Sequence, residues 1–456
     1  RHVNDGSGSF GAWRNAARLV AVLLMGQAVS GCSASEEESP ADAAAADGVV
    51  WAVNVGGSAY QGIDGTTYTA ESSVAGGTVG TMASVKGSQD SRLYLGYREG
   101  GIEIAHPIAN GTYDLTFHFA EPGDHGAGDR VFDVFAEGER IIDDLDVILF
   151  RDGKTLSALT VTAPDVEVVD GELNVRFEAD AGQPTLSAFV VRTKIPVEPG
   201  WKLVWSDEFD TGEIDAQKWS PNIWPARKVN DEDQAYTDRE KNLRIEDGML
   251  VIEAHKEDYE EASYTSGRLH SSGKGDFLYG RFEVRAKLPQ GQGSWPAIWM
   301  LPSDPFTYAT TCSGDEDWQG SADCNAWPNS GEIDIMEHVG YQMGHVHGTV
   351  HTKAYYWAEW EQRKGRILID DVADEFHVYV MEWSPERIDI FVDDSLYFTY
   401  MNENKGWEEW PFDKPFHLIL NIAVGGAWGR AGGPIDDSIF PQRMYVDYAR
   451  VYERSE

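Results

Sequence analysis

Apolar and polar residues alternate with a period of two in many short stretches of this 456-residue chain. Residues 112–119 (TYDLTFHF) and 173–177 (LNVRF) are two clear examples. Because side chains alternate between faces along a strand, this pattern predicts half-buried β-strands. Turn signals such as Gly56-Gly57 and Asn110-Gly111 separate the strands, and no long helical periodicity appears. We therefore predict an all-β protein.

The strand pattern falls into two blocks. Residues 49–195 predict a first β-sandwich, and the short Pro/Gly-containing stretch 196–200 predicts a linker. Residues 201–456 form the second block and hold 14 of the 16 tryptophans. Tryptophan faces stack on sugar rings, whose hydroxyls need polar partners at the edges, so a cleft lined with tryptophans and acids predicts a carbohydrate ligand.

The stretch from Gly331 to Glu337 carries three carboxylates among apolar residues. In a regular strand Glu332 and Asp334 share a face, whereas Glu337 points the other way. A β-bulge near Ile335-Met336 would bring all three to one side, and bulges are favoured beside active sites. Two carboxylates about 5–5.5 Å apart across a scissile bond are typical of a retaining glycosidase. The alternative is a solvated acidic edge strand.

The formal net charge of −39 argues against nucleic acid and polyanionic partners, which need basic surfaces. It makes sulfated polysaccharides less suitable substrates than neutral ones.

The N-terminal residues are typical of an export signal. Arg14 and Arg18 precede a short apolar run over residues 19–25, followed by small residues. The run ends at Val29-Ser30-Gly31-Cys32, which resembles a bacterial lipobox whose cysteine is lipidated. The alternative is a plain signal peptide with an incidental cysteine. We expect residues 1–32 to be a signal, residues 33–48 to be a disordered tether, and the protein to be lipid-anchored at the bacterial outer membrane or cell surface, or secreted.

The first block resembles the malectin-like carbohydrate-binding domains. The matching stretches are residues 52–57 (AVNVGG), 93–94 (LY), 110–113 (NGTY), 118–121 (HFAE), 130–134 (RVFDV) and 144–146 (DLD). The resemblance implies glucan binding through exposed aromatic rings, with four candidates: Tyr60, Tyr68, Tyr94 and Tyr97. The alternative for each is ordinary sandwich packing.

The second block closely resembles family 16 of the glycoside hydrolases, in its bacterial laminarinase (endo-β-1,3-glucanase) type. The matching stretches include residues 203–209 (LVWSDEF), 264–268 (YTSGR), 279–283 (YGRFE), 291–301 (GQGSWPAIWML), 331–337 (GEIDIME), 347–351 (HGTVH), 412–416 (FDKPF), 420–426 (LNIAVGG) and 446–452 (VDYARVY). The resemblance implies a β-jelly roll with an open concave cleft, and a retaining mechanism with a covalent glycosyl-enzyme intermediate. In that mechanism Glu332 is the nucleophile, Glu337 the general acid/base, and Asp334 the residue between them.

Substrate contacts follow from the same resemblance. Trp295, Trp299 and Trp327 are expected to stack on glucosyl units of the non-reducing side, and His351 to lie on the leaving-group side. Trp428 is expected to border the cleft. Sugar hydroxyls are expected to be bound by Asn230, Gln234 and Arg268. The alternative for the tryptophans is core packing, and for the polar residues ordinary surface or turn hydrogen bonding.

We predict no cofactor for catalysis. His345, His347 and His351 alternate on a strand but lack the partner spacing of a zinc site. The resemblance implies one structural Ca²⁺, held by backbone oxygens of Glu208 and Gly248 and by the carboxylate of Asp447; the alternative is that Asp447 caps a strand or turn. Export favours a disulfide between Cys312 and Cys324. The long segment 302–329 around them is expected to wall off one end of the cleft, which leaves strictly endo action open.

We predict a monomeric, exported endo-β-1,3-glucanase with a glucan-binding module, which acts on β-glucan and meets the membrane only through its lipid anchor. Two alternatives stay open at this point. The first is a family 16 hydrolase or transglycosylase acting on another neutral polysaccharide, such as agarose or mixed-linkage glucan. The second is a non-catalytic glucan receptor.

Overall fold

The computed structural model describes residues 48–314 and 317–455. Cys32, the signal segment 1–32 and nearly all of the tether 33–48 lie outside these residues. In the described part of the chain no helix is long and apolar enough to cross a membrane.

The N-terminal domain contains fourteen strands and two 3-10 turns, Ser91–Tyr94 and Leu149–Arg151. The strands are β1 Val49–Asn54, β2 Tyr60–Gln61, β3 Thr67–Ala70, β4 Val74–Ala75, β5 Thr78–Thr81, β6 Gly96–Glu99, β7 Glu103–Pro107, β8 Gly111–Phe119, β9 Val131–Ala136, β10 Glu139–Leu145, β11 Leu159–Val168, β12 Glu172–Ala181, β13 Thr185–Leu186 and β14 Ala188–Arg192.

The C-terminal domain contains eighteen strands, the one-turn helices α1 (Ala326–Asn329) and α2 (Gly426–Gly429), and the 3-10 turns Trp357–Glu359 and Asp437–Ile439. The strands are β15 Trp201–Asp207, β16 Ser220–Pro221, β17 Gln234–Tyr236, β18 Leu243–Glu246, β19 Met249–Tyr259, β20 Ala262–Ser266, β21 Arg268–His270, β22 Asp276–Phe277, β23 Gly280–Lys287, β24 Ser294–Pro302, β25 Glu332–Glu337, β26 His345–His351, β27 Arg363–Leu368, β28 His377–Trp383, β29 Arg387–Val392, β30 Ser395–Met401, β31 Phe416–Val424 and β32 Gln442–Arg454.

The C-terminal domain is a two-layer jelly roll with one concave outer face. Its concave sheet runs β16-β21-β31-β24-β25-β26-β27, and its convex sheet runs β17-β20-β19-β32-β23-β28-β29-β30. Alternation along β24 shows how the sequence builds both faces: Ile298 and Met300 enter the core between the sheets, while Trp295 and Trp299 lie on the concave face. The predicted all-β fold with an open concave cleft is confirmed.

The N-terminal domain is a β-sandwich with a separate core. One layer runs β11-β8-β14-β1-β3-β2 and the other β10-β9-β12-β7-β4. Inward-facing residues of both layers, such as Leu115, Phe117, Val134 and Val175, fill the space between them.

A single sheet continues through both domains, because β11 pairs in parallel with β27, with Thr162 opposite Ile367. Direct hydrogen bonds reinforce the junction. Gln89 Nε2 donates to the Met401 carbonyl at 2.8 Å, and its Oε1 accepts from the Met401 N–H at 2.9 Å. Lys194 Nζ donates to Ser395 Oγ at 2.6 Å. The two domains therefore share backbone pairing and side-chain contacts.

The outer face of the N-terminal sheet is covered. Leu93 and Tyr94, from a segment that folds over it, and Tyr68 pack against it in a second cluster. Beyond them lies a cavity of about 120 Å³, lined in part by Tyr397 and Phe398 of β30. Two of the four proposed sugar-stacking residues are thereby excluded: Tyr68 is 3% exposed and Tyr94 2%, so both are packing residues.

Candidate active site

The predicted bulge is present in the strand that carries the three carboxylates. Across β24, Ile298 pairs with Met336 but the next residue, Trp299, pairs with Asp334, so Ile335 is the extra residue. The register against β26 shifts at the same place. Ile335 and Met336 both enter the core, and Glu337 returns to the concave face beside Glu332 and Asp334.

Two tryptophans each hold one of the outer carboxylates. Trp327 Nε1 donates to Glu332 Oε2 at 3.0 Å. Trp295 Nε1 donates to Glu337 Oε1 at 3.1 Å. Both indoles are half-buried. The tryptophans expected to stack on sugar therefore also fix the orientation of the two carboxylates.

The three carboxylates share a crowded, partly buried site that disfavours three negative charges. Burial raises the pKa of Glu332, Asp334 and Glu337, and repulsion among them raises those of Glu332 and Asp334 further. A hydrogen bond between Asp334 and Glu332 lowers the pKa of Glu332 and raises that of Asp334. Of this pair, Asp334 holds its proton more tightly, and Glu332 has the lower pKa of the two.

Positive charge reaches the carboxylates from both sides of the cleft. Arg268 opposes the rise in the pKa of Glu332, and Lys364 opposes the rise in the pKa of Glu337. Burial in turn lowers the pKa of the Lys364 ammonium to about 8. Lys364 lies on the face of Asp334, since Asp334 pairs with Thr349 and Thr349 with Lys364.

The histidines of β26 line the same face. His351 Nε2 lies 3.5 Å from Asp334 Oδ2 and 3.8 Å from Glu332 Oε1. Burial lowers the pKa of His351 to about 3, so it acts as a neutral neighbour. Within the described residues Glu332, Asp334 and His351 form one of two clusters with metal-ligand spacing; the other is Asp133, Asp144 and Asp180. The first cluster is part of the three-carboxylate site.

Trp299 and Arg268 extend the site on the side of β24 and β31. Trp299 Nε1 donates to Asn421 Oδ1 at 2.7 Å, and the Arg268 guanidinium lies 4.8 Å from the Trp299 ring. Arg268 is 2% exposed and donates to Gln319 of the long segment 302–329 at 3.0 Å. That segment therefore borders this end of the cleft. Because Arg268 is buried against the Trp299 ring, its expected contact with sugar hydroxyls is corrected to a supporting role for that ring.

Three further expected contacts differ in accessibility. Asn230 is exposed, and its carbonyl accepts from the N–H of Ala427, next to Trp428. Trp428 is half-buried and lies 5.4 Å from Trp295, so it borders the cleft as expected. Gln234 is 2% exposed: its Nε2 donates to Glu232, and its Oε1 accepts from the Val424 N–H. The expected sugar contact by Gln234 is therefore corrected to a structural role beneath the cleft.

The residues of the expected calcium site lie far from the carboxylates but close to one another. Asp207 pairs with Ala449 and Leu250 with Val446, so Glu208 and Gly248 flank Asp447 from the two neighbouring strands. Asp447 Oδ2 accepts from Arg285 at 2.7 Å, so the one carboxylate expected to bind the ion is already paired with a cation. Carboxylate and carbonyl oxygens are ligands that suit Ca²⁺, and the calcium site stays a prediction.

Cys312 and Cys324 are joined by a disulfide, with 5.0 Å between their Cα atoms. The bridge closes a loop within segment 302–329, shortly before Glu332. It constrains the part of the segment that precedes Trp327.

Sequence reasoning missed Lys364, Asn421 and Tyr341, all of which lie at or near the site. A signal was available for Lys364. Lys364 and Arg366 are two residues apart on β27, so these two cations share one face of the strand, as Glu332 and Asp334 do in β25. Asn421 and Tyr341 carried no comparable signal, because only the strand register and loop packing bring them to the carboxylates.

Comparison with known protein families finds two matches. Residues 230–450 match the glycosyl hydrolases family 16, and residues 49–191 match the malectin domain.

Individual relatives support the match to family 16. A β-glucanase of Rhodothermus marinus is 52% identical over 261 residues, which cover 56% of this chain and 86% of the relative. The solved laminarinase of Rhodothermus marinus is 49% identical, with a TM-score of 0.51 over 57% of this chain and all of that chain. A solved non-specific endo-β-1,3(4)-glucanase, SCLam, is 41% identical, with a TM-score of 0.51 over 57% of this chain and 94% of its own.

Proposed function

We propose that this enzyme cleaves β-1,3-glucan internally with retention of configuration, and the premise is its family: the chain belongs to family 16 of the glycosyl hydrolases and carries an N-terminal malectin domain. The observation that carries the proposal is the bulge at Ile335, which gathers three carboxylates on an open face lined with tryptophans. The laminarinase of Rhodothermus marinus supports the β-1,3 linkage.

The first step is attack by Glu332 on the anomeric carbon of the bound glucosyl unit. Its carboxylate is oriented by the Trp327 indole and receives a hydrogen bond from protonated Asp334. Glu337, whose pKa is raised by burial, gives its proton to the leaving oxygen. A covalent glycosyl-enzyme intermediate forms, and the shortened polymer leaves.

In the second step Glu337, now ionised, takes a proton from water as the water attacks the anomeric carbon. Glu332 is released as a carboxylate and the product keeps the β configuration. Trp295 holds Glu337 throughout, so the same carboxyl group serves as acid and then as base. A sugar hydroxyl in place of water gives transglycosylation by the same chemistry.

Product analysis tests the proposal. The exported portion of the chain is incubated with laminarin, lichenan and agarose, and Glu332→Gln serves as the inactive control. Laminari-oligosaccharides of several lengths, formed early from laminarin alone, are the expected result. Products from agarose alone would keep the mechanism and overturn the specificity. Binding to laminarin without products would favour a glucan receptor.

Mixed-linkage glucan is the second candidate substrate. The similarity to SCLam, a non-specific endo-β-1,3(4)-glucanase, favours it. Cleavage of lichenan at a rate comparable to that of laminarin would support this broader specificity.

We also propose export and anchoring at Cys32, with the enzyme acting as a monomer outside the cytoplasm. The apolar run after Arg18 and the lipobox-like end support export, and the Cys312–Cys324 disulfide is consistent with an oxidising compartment. Metabolic labelling with a fatty acid tests the anchor: label should enter the full chain and be lost in Cys32→Ser.

A further inference from the structure

One end of the concave face runs into the N-terminal domain. Strands β24, β25, β26 and β27 follow one another across the cleft, and β11 comes next. Lys364, Arg366 and Leu368 of β27 lie on the cleft face, since the alternate residue Ile367 enters the core. Leu368 packs against the core of the N-terminal domain, so that domain stands on the cleft face at this end.

The segment Ile148–Leu156 of the N-terminal domain follows β27 along its length. Near one end of β27, the Phe150 carbonyl accepts from Arg366 Nη2 at 2.6 Å, and the Phe150 ring lies 4.6 Å from that of His345. Near the other end, Lys154 Nζ lies 4.4 Å from the centre of the Trp360 ring. The segment therefore forms a wall across the end of the cleft.

Buried contacts anchor this wall. Arg151 is 4% exposed and donates from Nε and Nη2 to Ser157 Oγ at 2.8 and 2.6 Å. Asp146 Oδ1 accepts from the Leu149 N–H at 3.0 Å. Between these anchors Asp152 is exposed, and its φ of 53° ends the 3-10 turn. Asp152 lies between Phe150, which contacts Arg366 of β27, and Lys154, which contacts Trp360 just before β27, so the chain passes beside Lys364 at this residue. The negative charge of Asp152 raises the pKa of both Tyr341 and Lys364.

An aromatic and charged pocket lies between this wall and Glu337. Trp428 is at its centre: its ring is 5.4 Å from Trp295 and 5.1 Å from His347, and Lys364 Nζ lies 4.2 Å above it. The Tyr341 ring lies against Gly432, four residues after Trp428. Lys364 makes no ion pair within 4 Å to any described residue. Its ammonium is therefore available to a ligand in the cleft.

The pocket's place relative to the reaction follows from the roles of the carboxylates. Trp299 and Arg268 occupy the β24 and β31 side, where the non-reducing units are expected. The leaving unit lies on the other side of the cleaved bond from these units, so it extends over β26 and β27, toward the wall. A sugar there needs an aromatic face for its C–H groups and charged partners for its hydroxyls, and the pocket offers both.

We propose that the N-terminal domain completes the catalytic cleft: Asp152, together with Lys364, Tyr341 and Trp428, binds the glucosyl unit on the leaving-group side, and segment Ile148–Leu156 limits how far the polymer extends beyond it. This inference rests on the proposed β-glucanase function. It assigns to the malectin domain a direct part in substrate specificity, in addition to any binding of its own.

Asp152→Gly tests the proposal, because glycine accepts the positive φ while removing the carboxylate. The substrates are laminarihexaose labelled with ¹⁸O at the reducing end and an aryl laminaritrioside, whose phenol replaces the leaving sugar. We expect kcat/KM for the hexaose to fall about tenfold, which corresponds to the loss of one charge-assisted hydrogen bond. The kcat/KM for the aryl substrate should change less than twofold, because that substrate has no leaving sugar. The preferred cleavage point in the hexaose should also move.

Asp247→Gly is the matched control, since Asp247 is exposed with a φ of 52° on the hairpin between β18 and β19. This substitution should change kcat/KM for either substrate by less than twofold. Asp152→Asn keeps an acceptor oxygen without the charge, so its kcat/KM for the hexaose should lie between those of the wild type and Asp152→Gly. Unfolding midpoints of all variants report on folding.

Three results would count against these claims, each in a different way. Equal losses on both substrates would make Asp152 structural and overturn the inference. An unchanged hexaose cleavage pattern and rate would overturn it as well, while leaving the β-glucanase assignment intact. Failure of the unaltered chain to cleave either substrate would instead refute the proposed function, and the inference with it.

Discussion

One sheet runs through both domains, and its two halves arrange their aromatic side chains in opposite ways. In the C-terminal half, Trp295 and Trp299 lie half-buried on an open concave face, and the Trp295 indole N–H donates to the Glu337 carboxylate. In the N-terminal half, Tyr68 and Tyr94 are covered, and Tyr94 hydrogen-bonds His118 and Thr160 inside the protein. Aromatic residues on a β-sheet therefore indicate a sugar site only where the face stays open.

The largest effect should come from the open half. Glu332→Gln removes the nucleophile at nearly constant shape, so we expect kcat on laminarin to fall at least about 10⁴-fold. Affinity for laminarihexaose, measured by calorimetry, should stay within a few-fold. Glu240→Gln, an exposed substitution, is the control and should be fully active. Near-normal turnover by Glu332→Gln would refute its role.

A pair of aromatic substitutions tests the comparison directly. Trp299→Ala removes an open-face ring, so we expect KM for laminarin to rise about tenfold, equivalent to about 1.4 kcal/mol. Tyr94→Ala empties a buried site, so we expect the free energy of unfolding to fall by about 3 kcal/mol while KM changes less than twofold. If Tyr94→Ala weakened glucan binding as much as Trp299→Ala, the distinction between the two halves would be wrong.

The charge of Lys364 offers a smaller test, in the pH profile. The Lys364 ammonium lowers the pKa of Glu337 against the rise caused by burial. Lys364→Met should raise that pKa, so Glu337 stays protonated to higher pH and the alkaline limb of kcat/KM moves upward by about half a unit. Lys353→Met, an exposed lysine after β26, should leave the limb in place. A downward shift in Lys364→Met would contradict the electrostatic assignment.

The smallest expected effect concerns calcium. Chelation should lower the Tm by a few degrees, because an ion that binds only the folded state adds its binding free energy to stability. The kcat at 25 °C should not change, since Asp447 lies on the convex sheet. In Asp447→Asn the Tm should no longer respond to calcium. Equal Tm values for the wild-type protein with and without calcium would refute the site.

Local spacing was enough to predict the centre of the site. The five-residue interval between Glu332 and Glu337 implied a bulge, because the two-residue period of a strand allows no other way to put both on one face. The burial of Tyr68 and Tyr94 was not predictable, since it depends on packing against residues distant in sequence, such as Ala188 and Val190 of β14. The partners of the carboxylates, Trp295 and Trp327, were identified as sugar contacts, while their N–H bonds required the folded geometry.

The continuity of the sheet was also beyond sequence reasoning. Each block alone predicts a complete sandwich, and the pairing of Thr162 with Ile367 joins residues about 200 positions apart. That junction and the contact of Phe150 with Arg366 place segment Ile148–Leu156 along β27. Residues 196–200 were predicted to be a linker, and the contacts of Gln89, Lys194 and Arg366 join the two domains directly.

The anomeric form of the first product tests the central claim most directly. Proton NMR follows laminarihexaose during the first minutes of hydrolysis, before mutarotation mixes the anomers. The three-carboxylate site predicts that the newly formed reducing ends appear as the β-anomer, with the α-anomer growing only later. Initial appearance of the α-anomer would mean a single inverting displacement and would contradict the roles of Glu332 as nucleophile and Glu337 as acid/base.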